Sequence, residues 1–217
     1  MKASETPRAQ PYHHGDLRRA LVAAATELAR EGGPGAIVLR EAARRVGVSP
    51  NAAYRHFDAL PELVEAVAFE ALGALARSME AELALCRPTG VPGPDAITRL
   101  GAVGRGYVHF ALAEPGLFAT AFSIGAGDGA EPPPEPRGVG ASGLGPGDLL
   151  ERSLDEMLAA GVLDAADRET AATNAWASVH GLSELLLGPL AGQPGPEREA
   201  LIEAVLDLVC RGLLTRG

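Results

Sequence analysis

A chain of 217 residues, 47% hydrophobic and 22% charged, is long enough to bury a sizeable core, and its composition excludes a disordered or fibrous protein. Aromatics make up only 4% while Ala, Leu and Gly dominate, which favours closely packed helices over a β-sandwich. The net charge of −9 speaks against nucleic acid, but its distribution does not: residues 1–56 hold nine Lys/Arg and five Asp/Glu, a balance of +4, and residues 57–217 hold ten and twenty-three, a balance of −13.

Residues 1–11 read as a flexible arm. A first helix is expected from Tyr12 to about Glu31, carrying an apolar stripe of Leu17, Leu21, Ala24, Ala25 and Leu28 and stopped by Gly32-Gly33-Pro34-Gly35. His13 and His14 have no third ligand at metal-binding spacing, so no metal site is expected there. Residues 38–57, V-L-R-E-A-A-R-R-V-G-V-S-P-N-A-A-Y-R-H-F, then read as two short helices about a tight turn. Leu39, Ala42, Ala43 and Val46 face a core, and Gly47 supplies the positive φ of a sharp helix exit. Ser49 is an N-cap, and Pro50 suits the first helical position. The second helix, expected over 50–56, is dense in hydrogen-bonding side chains: Asn51, Tyr54, Arg55 and His56. This is a helix-turn-helix, whose second helix enters the DNA major groove.

The stretch L-R-E-A-A-R-R-V followed by G-V-S-P-N-A-A-Y-R-H-F resembles the DNA-binding domain of the TetR family of bacterial transcriptional regulators over about residues 15–75. The resemblance implies that Tyr54 and His56 lie along the DNA backbone, as a phenol and an imidazole that bond phosphate. Arg55 and Asn51 are the candidates for base readout, since Arg pairs bidentately with guanine and Asn with adenine; phosphate contact is the alternative for Arg55. Arg40 and Arg44 flank the backbone side, and Ser49, Pro50 and Ala52 complete the expected DNA-binding surface. Two positions depart from the family pattern. Val38 stands where a Thr or Ser commonly caps the helix and touches phosphate, and Leu60 stands where a Lys is common.

A long helix is expected from about Pro61 to Leu85, linking the DNA-binding domain (12–75) to the body (76–217), with a loop over 87–94. Further helices are expected over about 96–113, 116–123, 148–160, 164–187 and 196–214. Residues 125–147, rich in Gly and Pro, read as a mobile loop. W-A-S-V-H-G, Trp176 to Gly181, resembles a TetR subgroup with a W-x-x-x-H-G motif in its ligand-binding domain. Tyr107, Phe110, Phe118, Phe122, Trp176 and His180 are the candidate lining of an apolar ligand pocket; ordinary core is the alternative. His180 has as alternatives a satisfied core histidine and a metal ligand with His109. Leu201, Ile202, Val205, Leu206, Leu208, Val209, Leu213 and Leu214 make the last helix apolar on more than one face. In the family the last two long helices form a homodimer.

No run of about 18 apolar residues spans a membrane and the N-terminus has no apolar h-region, so a cytoplasmic location is expected. Cys86 and Cys210 make no disulfide framework. No catalytic triad, zinc or phosphate-loop pattern occurs, so catalytic residues, metal and cofactor are all expected to be none. The expected fold is all-α: a three-helix DNA-binding head joined by a long helix to a helical ligand-binding and dimerisation body. The expected function is a regulator, a repressor released from double-stranded operator DNA by a small apolar effector. An all-helical binding protein without DNA binding, or an enzyme, are the alternatives.

Overall fold

The computed structural model describes residues 14–123 and 138–214; the arm over 1–11 and most of the loop expected over 125–147 lie outside them. The fold is all-α. The helices are α1 (His14–Gly32), α2 (Leu39–Val46), α3 (Pro50–Ala53), α4 (Leu60–Leu85), α5 (Pro92–Ala113), α6 (Pro115–Ala121), α7 (Pro146–Ala159), α8 (Arg168–Leu187) and α9 (Gly195–Gly212), with 3₁₀ turns at Pro34–Ala36 and Ala165–Asp167.

The head is α1 to α3 packed on the first half of α4. Leu21, Ala25 and Leu28 of α1 meet Leu39, Ala42 and Ala43 of α2, with Phe57 and Leu63 closing the same buried cluster. Gly47 takes φ 78° at the end of α2, where its N–H reaches the carbonyls of Ala43 and Arg44. A side chain there would be strained, so the turn depends on glycine. Arg18 links the elements of the head. It bonds the His56 carbonyl and Glu62 and lies 4.2 Å from the centre of the Phe57 ring, tying α1 to the end of the recognition segment.

In the body, α5 is central and packs against α4, α7, α8 and α9. Its contact with α4 is close because Gly106 has no side chain: a Cβ there would stand 2.5 Å from Met79 Cα. Ser78 Oγ donates to the Gly106 carbonyl across the same contact at 2.8 Å. The main buried cluster runs from α1 to α9 without a break, and α4 crosses the expected head–body boundary at residue 75 as one continuous helix. A second cluster, including Leu100, Met157 and Cys210, fills the space around the start of α5.

Several helix boundaries differ from the sequence reading. Residues 92–94 and 146–147 were expected in loops and instead open α5 and α7. The first turn of a helix leaves its N–H groups unpaired in any case, so Pro costs nothing there and Gly little. At α7, Asp148 Oδ2 accepts the Gly145 N–H at 2.8 Å and fixes the entry. The recognition helix is shorter than 50–56. After Ala53 it tightens into a turn, with Arg55 N–H on the Ala52 carbonyl and His56 N–H on the Ala53 carbonyl. Along the last helix Ile202, Leu206 and Cys210 are buried, Leu201, Val205, Val209, Leu213 and Leu214 are half-buried, and Leu208 is 62% exposed.

Candidate DNA-binding surface and ligand cavity

The recognition segment is held from beneath by Ala53 and Phe57, both fully buried, so the residues between and before them point outward. Asn51, Tyr54 and Arg55 are exposed, and Ala52 and His56 are half-buried. Ser49 Oγ accepts the Ala52 N–H at 3.3 Å, and Pro50 occupies the first turn, so these two shape the segment's start. On α2, Arg40 is exposed. Arg44 donates to both carboxylate oxygens of Glu41, at 2.8 and 2.7 Å. That bond, with help from Arg45, holds the Glu41 carboxyl at about 2, well below the usual range, so Arg44 is preset by a permanently ionised partner. Val38 is 46% exposed and gives α2 no side-chain cap, and Leu60 is 43% exposed at the start of α4. Both departures from the family pattern therefore lie open at the surface.

The second site is a cavity of about 480 Å³ in the body, walled by α4, α5, α7, α8, α9 and Phe122 just after α6. Of the six aromatic and histidine candidates, Tyr107, Phe122 and Trp176 line it. Phe110, Phe118 and His180 do not. Phe110 and Phe118 are core residues at 5% and 1% exposure, and Phe118 packs edge-on against Tyr107 with centroids 5.7 Å apart. His180 stands behind the wall. Its Nδ1 lies 2.8 Å from the Tyr107 hydroxyl, and the rings of Phe122 and Trp176 are 4.9 and 5.9 Å away.

Burial pushes the Tyr107 phenol well above its ordinary value, against the opposing effect of a hydrogen bond from Trp176. The phenol therefore keeps its proton at neutral pH, and its oxygen stands within hydrogen-bond distance of His180 Nδ1. The W-x-x-x-H spacing places both motif side chains on one face of α8, where they meet the same tyrosine.

The rest of the cavity wall was not legible in sequence. Leu72 and Met79 come from α4, Val103 and Gly104 from α5, and Leu206 and Cys210 from α9. These are ordinary aliphatic and small residues at helical spacing, and only packing distinguishes them from any other core position. Burial pushes the Cys210 thiol up to about 11, so it is a protonated, inert wall residue; Cys86 is likewise a free cysteine. Among the described residues no group of three or more His, Cys, Asp or Glu side chains is placed to hold a metal, and no helix is long and apolar enough to cross a membrane.

Two links between the body and the head lie beside the cavity wall. The continuous α4 is one. The other is α6 against the end of α1, where Arg30 Nε donates to Glu114 at 2.8 Å and a Cβ on Gly116 would stand 2.2 Å from the Ala29 carbonyl. The strand of chain entering α7 is tied to α4 as well: Glu80 accepts the N–H groups of Ala141 and Ser142, each at 2.8 Å.

Comparison with known proteins agrees with this architecture. Residues 21–67 match the model described as bacterial regulatory proteins, tetR family, and residues 100–209 match a tetracyclin repressor-like C-terminal domain. Nothing among the curated proteins matches. A protein of unknown function from Rhodococcus sp. RHA1 is 32% identical, with a TM-score of 0.74 over 95% of this chain and 100% of that one. Two more distant structures share the fold. One is a TetR variant from Acinetobacter baumannii AYE in complex with minocycline, 20% identical, TM-score 0.59, covering 93% of this chain and 96% of that one. The other is a TetR family transcriptional regulator from Chloroflexus aurantiacus, 17% identical, TM-score 0.53, covering 93% and 95%. With a helix-turn-helix head, a cavity-bearing helical body and family matches to both, this chain belongs to the TetR family and is a ligand-responsive, DNA-binding regulator of transcription.

Proposed function

We propose that this protein is a repressor, acting in the bacterial cytoplasm, that leaves its operator when a small, largely apolar molecule enters the body cavity. One observation carries the reading: the cavity wall includes Leu72 and Met79 of α4 and Phe122 beside α6, and α4 and α6 both reach the head. A ligand seated there touches both joints. It shifts the equilibrium only by the difference between its affinities for the operator-competent and released forms.

Arg55 and Asn51 read bases, while Arg40, Arg44, Tyr54 and His56 position the duplex on its phosphates, with Ser49, Pro50 and Ala52 shaping the segment. The protein works as a homodimer through α8 and α9, whose outward faces carry Ala177, Gly181 and Leu185, and Ala204 and Leu208. Such small and apolar outward residues suit a helix-to-helix interface, and a two-fold dimer sets the spacing of two half-sites. The Trp176–His180 pair beside Tyr107 supports membership of the subgroup with the W-x-x-x-H-G motif.

The test is binding to DNA upstream of the protein's own gene across a salt series, then titration of the complex with apolar compounds and cell extract. Specific, salt-sensitive binding that a ligand weakens is the expected result. Binding that no ligand or extract shifts refutes the release mechanism.

A further inference from the structure

From the charges around the cavity we infer that the effector carries no negative charge, and that the site rejects the carboxylate of a carbon skeleton it admits as the alcohol. The inference rests on the proposal that this cavity is the effector site, and it goes further by naming the chemistry admitted.

Among the described residues no Lys, Arg or His lines the cavity. An incoming anion would exchange its hydration for walls with no cation to pair it. The carboxylate at the rim, Glu151, adds to that penalty. Arg168 Nη2 lies 2.5 Å from Glu151 Oε2 and also bonds the Glu151 carbonyl, but Asp155 shares the same guanidinium at 2.8 Å, so the three groups together keep a negative charge. The other polar side chains described in the wall are uncharged. Tyr107 keeps its phenolic proton, Trp176 offers only an indole N–H, Thr173 only a hydroxyl, and the Cys210 thiol stays protonated. The rest of the described wall carries no polar side chain. The cavity is therefore matched to a lipophile whose polar part is a hydroxyl, carbonyl or ether, and matched against anions.

The protein carries its own reporter. Trp176, the chain's single tryptophan, lines the cavity. The experiment titrates the full-length protein with 1-dodecanol and dodecanoate at pH 8 and follows Trp176 emission. The expected result is saturable binding of dodecanol, with dodecanoate at least about 100-fold weaker. Between pH 8 and 6 the apparent affinity of dodecanoate rises about tenfold per unit fall in pH, because only the protonated acid enters, while that of dodecanol stays level. Dodecanoate binding as tightly as dodecanol at pH 8 overturns the charge inference and leaves the cavity a ligand site. No response to either overturns the ligand-site reading on which the inference stands.

Discussion

The contact between α4 and α5 at Gly106 makes a sharp test of how the body is packed. In Gly106→Ala the new Cβ would stand 2.5 Å from Met79 Cα, 2.7 Å from the Ser78 carbonyl oxygen and 2.9 Å from Met79 N, against an ordinary contact of 3.4 Å or more. All three are backbone atoms, which cannot rotate away, so the two helices must part by roughly 0.9 Å at their crossing, the difference between 3.4 and 2.5 Å. Three effects compete. Alanine gains about 1 kcal/mol of helix propensity over glycine. Overpacking costs about 1–3 kcal/mol. Parting the helices also weakens the bond from Ser78 Oγ to the Gly106 carbonyl, 2.8 Å in this structure, worth about 1 kcal/mol. The net loss is about 1–3 kcal/mol. At about 2–4 °C per kcal/mol for a chain of this size, a mid-range loss of about 2 kcal/mol lowers Tm by about 4–8 °C. Gly101, five residues earlier in α5, is the internal control because a Cβ there meets nothing within 4 Å. Gly101→Ala should raise Tm by about 2–4 °C, from a gain of up to about 1 kcal/mol. Thermal unfolding followed by circular dichroism reads both variants. A Gly106→Ala protein as stable as Gly101→Ala would refute the close approach and with it the placement of α5 as the central helix.

Three further outcomes are expected. Val38→Thr supplies the missing side-chain cap of α2 at an exposed, extended position; it should add about 1 kcal/mol and raise Tm by about 2–4 °C, and an unchanged Tm would show that the α2 start does not use a cap. For Glu80, burial alone would raise the carboxyl, but the bonds from Ser142 and Ala141 outweigh it and the folded value lies below the ordinary 4.5. Its stabilisation is therefore present above about pH 4.5 and lost as pH falls below it, so amide exchange at Ala141 and Ser142 should quicken in acid; Glu80→Gln should remove that acid step, and its persistence in the variant would assign it to another group. Arg55→Ala should cost about 1–3 kcal/mol of operator affinity and relax the preference at one base pair if Arg55 reads a base. A uniform loss across sequences, with a salt slope smaller by about 1, would make it a phosphate contact instead.

Much of this protein is written locally. The period of Leu21, Ala25 and Leu28, the Gly47 turn and the Ser49-Pro50 start are short-range signals, because helix exits and caps are decided by the backbone conformations of a few neighbouring residues. They were enough to place the helix-turn-helix and the exposed side chains of Asn51, Tyr54 and Arg55. Local signals misled where a proline or glycine served either as a loop residue or as the first turn of a helix, which is why α5 and α7 begin earlier than their composition suggests. The cavity could not be read in the same way. Its wall combines residues as far apart in the chain as Leu72 and Cys210, chemically like any core residues, and an empty space belongs to the packing of several helices rather than to any one of them. Tyr107, Phe118 and Phe122 were all visible as a cluster. Only the tertiary structure put Phe118 in the core, Phe122 in the wall and the Tyr107 hydroxyl on His180, because which face of a helix meets a cavity depends on where its neighbours stop.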